Sequence, residues 1–309
     1  MSLLQGPSPK QLEIIKQELG ESPGDIERGV MDLRSMCAAS PHLPQPDNID
    51  NQLLELFVRG CRMDLDRART KFKSFCVSRA RHRDLYEHRS LNEPPLKNVC
   101  NFIDIIPLPK LTDEGLRVTV FRIRQGYPES SADVGAAVRA ILLVSDARMC
   151  DEKIISGDAF IWELSNVRGS LAARLAAAVG AIRRGIHLAH TAYPQRLKRN
   201  HIVGTPPIVA SSLQLIRSCV NEKIKRRFYL HSKADELIEQ YPARVLPCEW
   251  GGEEESIDIL ARKWRHHIDD NRDLLRGLDR LASNDIDNSS LKDSDLYGTV
   301  GAFRKLEID

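Results

Sequence analysis

The sequence predicts an α/β protein in which a bundle of helices precedes a mostly parallel sheet flanked by further helices. Three observations carry that reading. The first hundred residues place apolar side chains at helical spacing and contain no alternating run. From Leu116 onward, short alternating segments are separated by long helical ones, the pattern of strand-helix-strand crossovers. Finally, 309 residues of which 42% are hydrophobic and 28% charged can bury a substantial core without disulfides or metals.

In chain order, Leu12, Ile15 and Leu19 begin an amphipathic stripe, and a second helix from Asp25 to Ala38 stops at the proline-rich segment Pro41 to Pro46. Leu53, Leu54, Phe57 and Val58 form a third helical repeat, and Leu65, Ala68, Phe72, Phe75 and Leu85 a fourth. Pro94 and Pro95 mark a boundary, which gives a helical domain over 1–95. Val118 and Val120 alternate on a first strand. Val134, Val138, Ile141 and Ser145 then share a helix face, with Asp133 in its first turn. In the segment 157–165, Phe160, Trp162 and Leu164 fall on one side of a strand, and Ala159, Ile161 and Glu163 on the other. Ser170 is expected to cap one helix running to His190. Asn200 to Val203 and Phe228 to His231 read as strands, and Ser256 to Leu281 as a last helix. The second domain is thus 96–282, with a polar tail over 283–309.

The composition excludes several classes. A formal charge of +2 gives no overall basicity for nucleic acid. The seven cysteines form no CxxC pair and are expected as reduced thiols. The opening residues lack a signal peptide's apolar run, and arginines interrupt the most apolar helices, so a cytoplasmic protein is expected. No GxSxG, GxxxxGK, GxGxxG or HExxH motif occurs, no nucleophile-base pair stands out, and no metal or cofactor is expected. His187 and His190 read as ordinary histidines, and Glu253 to Glu255 as a solvated turn.

The most specific stretch is 193–252. It contains Tyr193-Pro194 followed by the basic Arg196, a strand ending at Pro206, Glu222-Lys223-Ile224, Leu246-Pro247, and Glu249-Trp250-Gly251-Gly252. In this combination, and in the helical run 53–69, the chain resembles the CRAL-TRIO family of lipid-transfer proteins, especially the branch that carries tocopherol and retinaldehyde. The resemblance implies a non-catalytic carrier whose apolar cavity lies between the sheet and a movable lid helix over Pro207 to Val220. The residues themselves agree: Phe160, Trp162 and Leu164 give a bulky apolar sheet face, and Val209, Leu213, Ile216 and Val220 a facing stripe. The cavity wall is expected to comprise these residues with Val138, Ile141, Ser145, Leu188, Tyr193, Ile202 and Ser212. Ser145 and Ser212 would serve as its polar groups.

A second feature is charge. From Arg183 to Arg227 there are ten basic residues against one acid, Glu222. The family resemblance implies that Arg196, Lys198, Lys223 and Arg227 bind a phosphoinositide head group on an anionic membrane surface. The expected partners are therefore a hydrophobic small molecule and, transiently, a membrane, with the protein a monomer. The competing reading is an adaptor of the same fold that senses phosphoinositides without moving cargo.

Overall fold

The computed structural model describes residues 2–218, 220 and 222–283, without the side chains of Val209, Ser211, Ser212, Leu215 and Ile216. Helix α1 (Pro9–Leu19) starts at a reciprocal cap, in which the Ser8 hydroxyl accepts from the Gln11 amide and the Gln11 side chain accepts from the Ser8 amide. Helices α2 (Asp25–Ala38), α3 (Asn51–Gly60) and α4 (Leu65–Arg81) follow, the last two capped by Asp50 and Asp64. Two single turns, α5 (Arg83–Tyr86) and α6 (Leu96–Val99), complete this region.

The sheet has five strands in sequence order: β1 (Ile103–Leu111), β2 (Leu116–Ile123), β3 (Gly157–Glu163), β4 (Leu197–Val203) and β5 (Phe228–His231). Strands β2 to β5 are parallel, as expected. The segment 103–111, which carries no alternating signal, forms a further strand, an edge antiparallel to β2. Its Pro107 and Pro109 lack the amide a central strand needs, and only an edge tolerates them. The Pro107 carbonyl is satisfied by the Trp264 indole at 2.8 Å.

Between β2 and β3 runs α7 (Val134–Asp151), capped by Asp133, whose carboxylate accepts from the Ala136 amide at 2.9 Å. The expected single helix before β4 is two, α8 (Gly169–Ala177) and α9 (Val179–Thr191), because Ala178 leaves helical geometry. Ser170 is not the cap; Arg168 holds that position and makes no side-chain cap bond. After β4 come α10 (Ala210–Ser218) and the single turn α11 (Glu222–Lys225). The last expected helix is also two, α12 (Ile257–Asp270) and α13 (Arg272–Asp279), broken at Asn271, whose side-chain amide donates to the His267 carbonyl. The tail from 284 lies outside the described residues.

Helix α7 is the hub. It is apolar nearly all round and buried on most sides, touching α3, α5, α6 and α13 on one flank and β1 and α9 on the other. One hydrophobic cluster consequently runs from Leu4 to Leu281. Asp146, fully buried on α7, pairs with Arg79 at 2.7 Å and Arg89 at 2.8 Å, and accepts from the Tyr193 hydroxyl at 2.8 Å. Burial alone would raise its pKa, but the two guanidiniums outweigh burial and hold the carboxyl below its usual range.

Candidate functional site

Strand alternation gives the sheet two unlike faces. Val118, Val120, Ala159, Ile161 and His201 have no exposed surface and point away from the α7 side. The face turned away from α7 is covered by α12 and the short turns of 234–250. On the other face stand Ile103, Ile105, Thr119, Phe121, Ile123, Phe160, Trp162, Asn200, Ile202 and Phe228, and these do not meet a packed layer. They line a cavity of about 280 Å³ roofed by α7, α8, α9 and α10. Phe121 stacks on Trp162 with ring centroids 4.0 Å apart and meets Phe160 edge-on at 5.3 Å, which holds the three rings as a wall.

The expected wall residues Val138, Ile141, Ser145, Phe160, Trp162, Leu164, Tyr193, Ile202, Leu213 and Val220 all line this cavity. Leu188 does not. It sits in the hydrophobic core beside the cavity, because α9 turns Ile182, Ile186 and His190 inward instead. The side chains of Val209, Ser212 and Ile216 lie outside the described residues. Sequence reasoning missed the contributions of β1, the alternate residues of β2, and Leu171, Leu175 and Ile182. Gly185 lets α9 approach closely, since a Cβ there would sit 2.8 Å from a Val138 methyl.

The polar groups of the lining collect at one end. Arg148, Ser145, His190, Gln195, Thr119 and Asn200 lie toward the start of the strands, while Trp162, Leu164, Val167 and Leu213 lie toward their C-terminal ends. Burial pushes His190 down to about 4, so its imidazole is neutral near pH 7. His187, one turn earlier, is also lowered by burial. Arg148 is bound by Asp158 at 2.5 Å and lies 3.5 Å from Glu152. Among the described residues no group of three or more ligating side chains could hold a metal ion.

A groove of about 900 Å³ between α10 and β5 adjoins the cavity and shares Ile202, Leu213 and Phe228 with it. Leu230 on β5 lines it and is exposed, Ile208 before α10 is exposed as well, and Arg217 and Lys225 add charge to its rim. Three of the four basic residues singled out in the sequence converge at the start of β4. Arg196 and Lys198 both pair with Glu18 of α1, at 3.2 and 2.5 Å, and the Arg227 guanidinium donates to the Leu197 carbonyl. Lys223 is exposed on α11. The run is therefore less basic than its sequence count, since Arg184 and Arg199 are also paired, with Asp84 and Glu114. Of the acidic run 253–255, Glu254 is buried and pairs with Lys110 at 3.1 Å, so it is not wholly a solvated turn. The Leu246 to Gly252 motif is structural: Gly252 packs so tightly on Leu246 that a Cβ would lie 1.9 Å from its carbonyl oxygen.

A sheet that leaves one face against an apolar chamber, roofed by helices, is the geometry of a site suited to a hydrophobic molecule. The comparisons agree with it. Residues 104–252, just under half of the chain, match the CRAL/TRIO domain, and the chain is similar to CRAL-TRIO proteins of the lipid-binding and transfer family. It is 27% identical to the mouse (Mus musculus) α-tocopherol transfer protein-like protein over 249 residues, covering 80% of this chain and 71% of that one. It is 24% identical to rat (Rattus norvegicus) clavesin-2 over 251 residues, covering 80% and 75%. The crystal structure of Sfh5 aligns over 88% of this chain and 99% of its own, with 11% identity and a TM-score of 0.41.

Proposed function

We propose that the protein is a non-catalytic carrier that encloses one hydrophobic small molecule and exchanges it at membranes. The observation that supports this reading most is the cavity itself: nearly all of its wall is apolar, and it lies between a sheet face and helices that would otherwise close on each other. Filling it with a cargo removes apolar surface from water at about 25 cal/mol per Å² before the costs of binding. Helix α10 is the lid in this reading, and the adjoining groove is the exit, with the exposed Ile208 and Leu230 entering the membrane surface as the lid moves. Arg196, Lys198, Lys223 and Arg227 would dock on anionic head groups, phosphoinositides foremost, once Glu18 yields Arg196 and Lys198 to lipid phosphates. None of the described helices is long and apolar enough to cross a membrane, which suits transient attachment from the cytoplasm.

The test is transfer. Purified full-length protein is mixed with donor vesicles carrying radiolabelled α-tocopherol, retinol, a carotenoid or cholesterol, and with acceptor vesicles containing phosphoinositide. Stoichiometric uptake and accelerated transfer of at least one of these supports the carrier reading. Vesicle binding with neither uptake nor transfer of any of them supports a phosphoinositide-sensing adaptor instead.

A further inference from the structure

The cavity is apolar over most of its wall, yet two of its buried neutral polar side chains end without a partner. Thr119 on β2 and Asn200 on β4 are each 5% exposed, and neither Thr119 Oγ1 nor Asn200 Oδ1 has a hydrogen-bond partner. Strand register locates them. Thr119 stands opposite Phe160 and Phe160 opposite Asn200, so the two flank Phe160 in one row across the cavity face. With neighbouring strands about 4.8 Å apart, their backbones are separated by roughly 10 Å. The next row, two residues further along each strand, is Phe121, Trp162 and Ile202, which is wholly apolar. A fold needing only a greasy wall would continue that chemistry through the first row, because a buried polar atom left unpaired costs free energy that an apolar side chain of similar shape does not.

The same end holds no spare charge. Arg148 is held by Asp158, His190 is neutral near pH 7, and the Tyr193 hydroxyl already donates to Asp146. We propose that this end of the cavity is a head-group site for a neutral lipid bearing a hydroxyl group, whose O–H donates to Asn200 Oδ1 while Thr119 is reached by a second polar atom or a bridging water. The inference rests on the carrier reading and narrows its cargo. A hydroxyl both donates and accepts, so it satisfies the carboxamide and the threonine hydroxyl alike. A carboxylate brings no donor and meets no unpaired cation, and a hydrocarbon leaves both groups orphaned.

The experiment uses delipidated full-length protein and three probes of equal chain length: hexadecanol, hexadecyl methyl ether and hexadecanoate, measured by displacement of a fluorescent fatty alcohol. The wild type should bind the alcohol about tenfold more tightly than either analogue, the size expected of one or two buried hydrogen bonds. Asn200→Leu should bring alcohol and ether to within about threefold by weakening the alcohol alone, and the nearly isosteric Thr119→Val should lower the preference by a smaller factor. Because it removes an orphan, Asn200→Leu should also leave the melting temperature of the empty protein unchanged or raised. Equal binding of alcohol and ether by the wild type, a preference that survives in both variants, or preferred binding of hexadecanoate would overturn the assignment while leaving the carrier intact. Failure of the wild type to bind any of the three, with the displaced probe also unbound, would overturn the carrier reading together with it.

Discussion

Two clusters of three aromatic rings divide the molecule by purpose. In the helical region Phe57, Phe72 and Phe75 have no exposed surface, with centroids 5.2, 5.3 and 6.1 Å apart, and Phe75 carries the Arg79 guanidinium on its face at 3.5 Å. On the sheet, Phe121, Phe160 and Trp162 touch as closely, at 5.3 and 4.0 Å, but Phe160 and Trp162 stay half-buried over open space. Similar side chains with similar ring geometry fill a core in one place and line a chamber in the other. The difference lies in what faces them. The phenylalanines of α3 and α4 lie in a packed cluster of helices, whereas the sheet rings face a cavity roofed by α7, α8, α9 and α10.

The contrast breaks most severely where the two regions are joined. Asp146→Ala leaves Arg79 and Arg89 buried without their shared carboxylate and should cost about 3–5 kcal/mol in urea unfolding. Next in size is a matched pair of truncations. Phe72→Ala opens a void in a filled core and should cost about 3–5 kcal/mol, whereas Trp162→Ala enlarges a space that already exists and should cost less than half of that. Equal losses from the two would mean that the sheet face is packed as tightly as the helical core.

Acid should act on the sheet side. His190 in the cavity and His201 behind β4 are both pushed down to about 4, chiefly by burial. Both titrate near 6.5 when unfolded, so between these values the unfolded chain holds protons that the native one does not. Their contribution is therefore intact above about pH 6.5 and is lost as the pH falls toward 4, by up to about 1.4 kcal/mol per pH unit for each histidine. Unfolding midpoints measured from pH 7 to pH 4.5 should fall, and less steeply in His201→Asn. A midpoint independent of pH over that range would remove both assignments. His201 also bonds Tyr241 and His231, each at 2.8 Å, so part of the loss should show as loosening of β5.

The smallest effect expected is at the surface. Glu18→Gln removes the acid shared by Arg196 and Lys198 and should leave stability within about 1 kcal/mol of the wild type. It should nevertheless strengthen attachment to phosphoinositide vesicles at low salt, an increase that sedimentation would detect. Unchanged or weaker attachment would mean that these cations serve the contact between α1 and β4 alone.

What the sequence disclosed follows from how local each signal is. Helices α1 to α4 and the inward face of β3 were legible because apolar periodicity acts within a few residues, as at Ile15, Phe57 and Trp162. Strand β1 was hidden by Pro107 and Pro109, whose tolerance depends on the strand being at an edge. The breaks at Ala178 and Asn271 carry no proline to announce them. The basic run looked unopposed because its counter-charges, Glu18, Asp84 and Glu114, come from distant parts of the chain. Thr119 and Asn200 gave no signal either, since their meaning depends on a register across three strands.

The central claim is that the sheet-side chamber is kept open to hold one apolar molecule. Native mass spectrometry of the full chain after incubation with the four lipids tests it most directly, with Trp162→Arg and Phe72→Leu run alongside. The wild type and Phe72→Leu should each carry one lipid per chain. Trp162→Arg, folded by circular dichroism, should carry none, because its charge would stand unpaired in the chamber. A folded Trp162→Arg that retains lipid at one per chain, or a wild type found only at the mass of the bare polypeptide, would contradict the account.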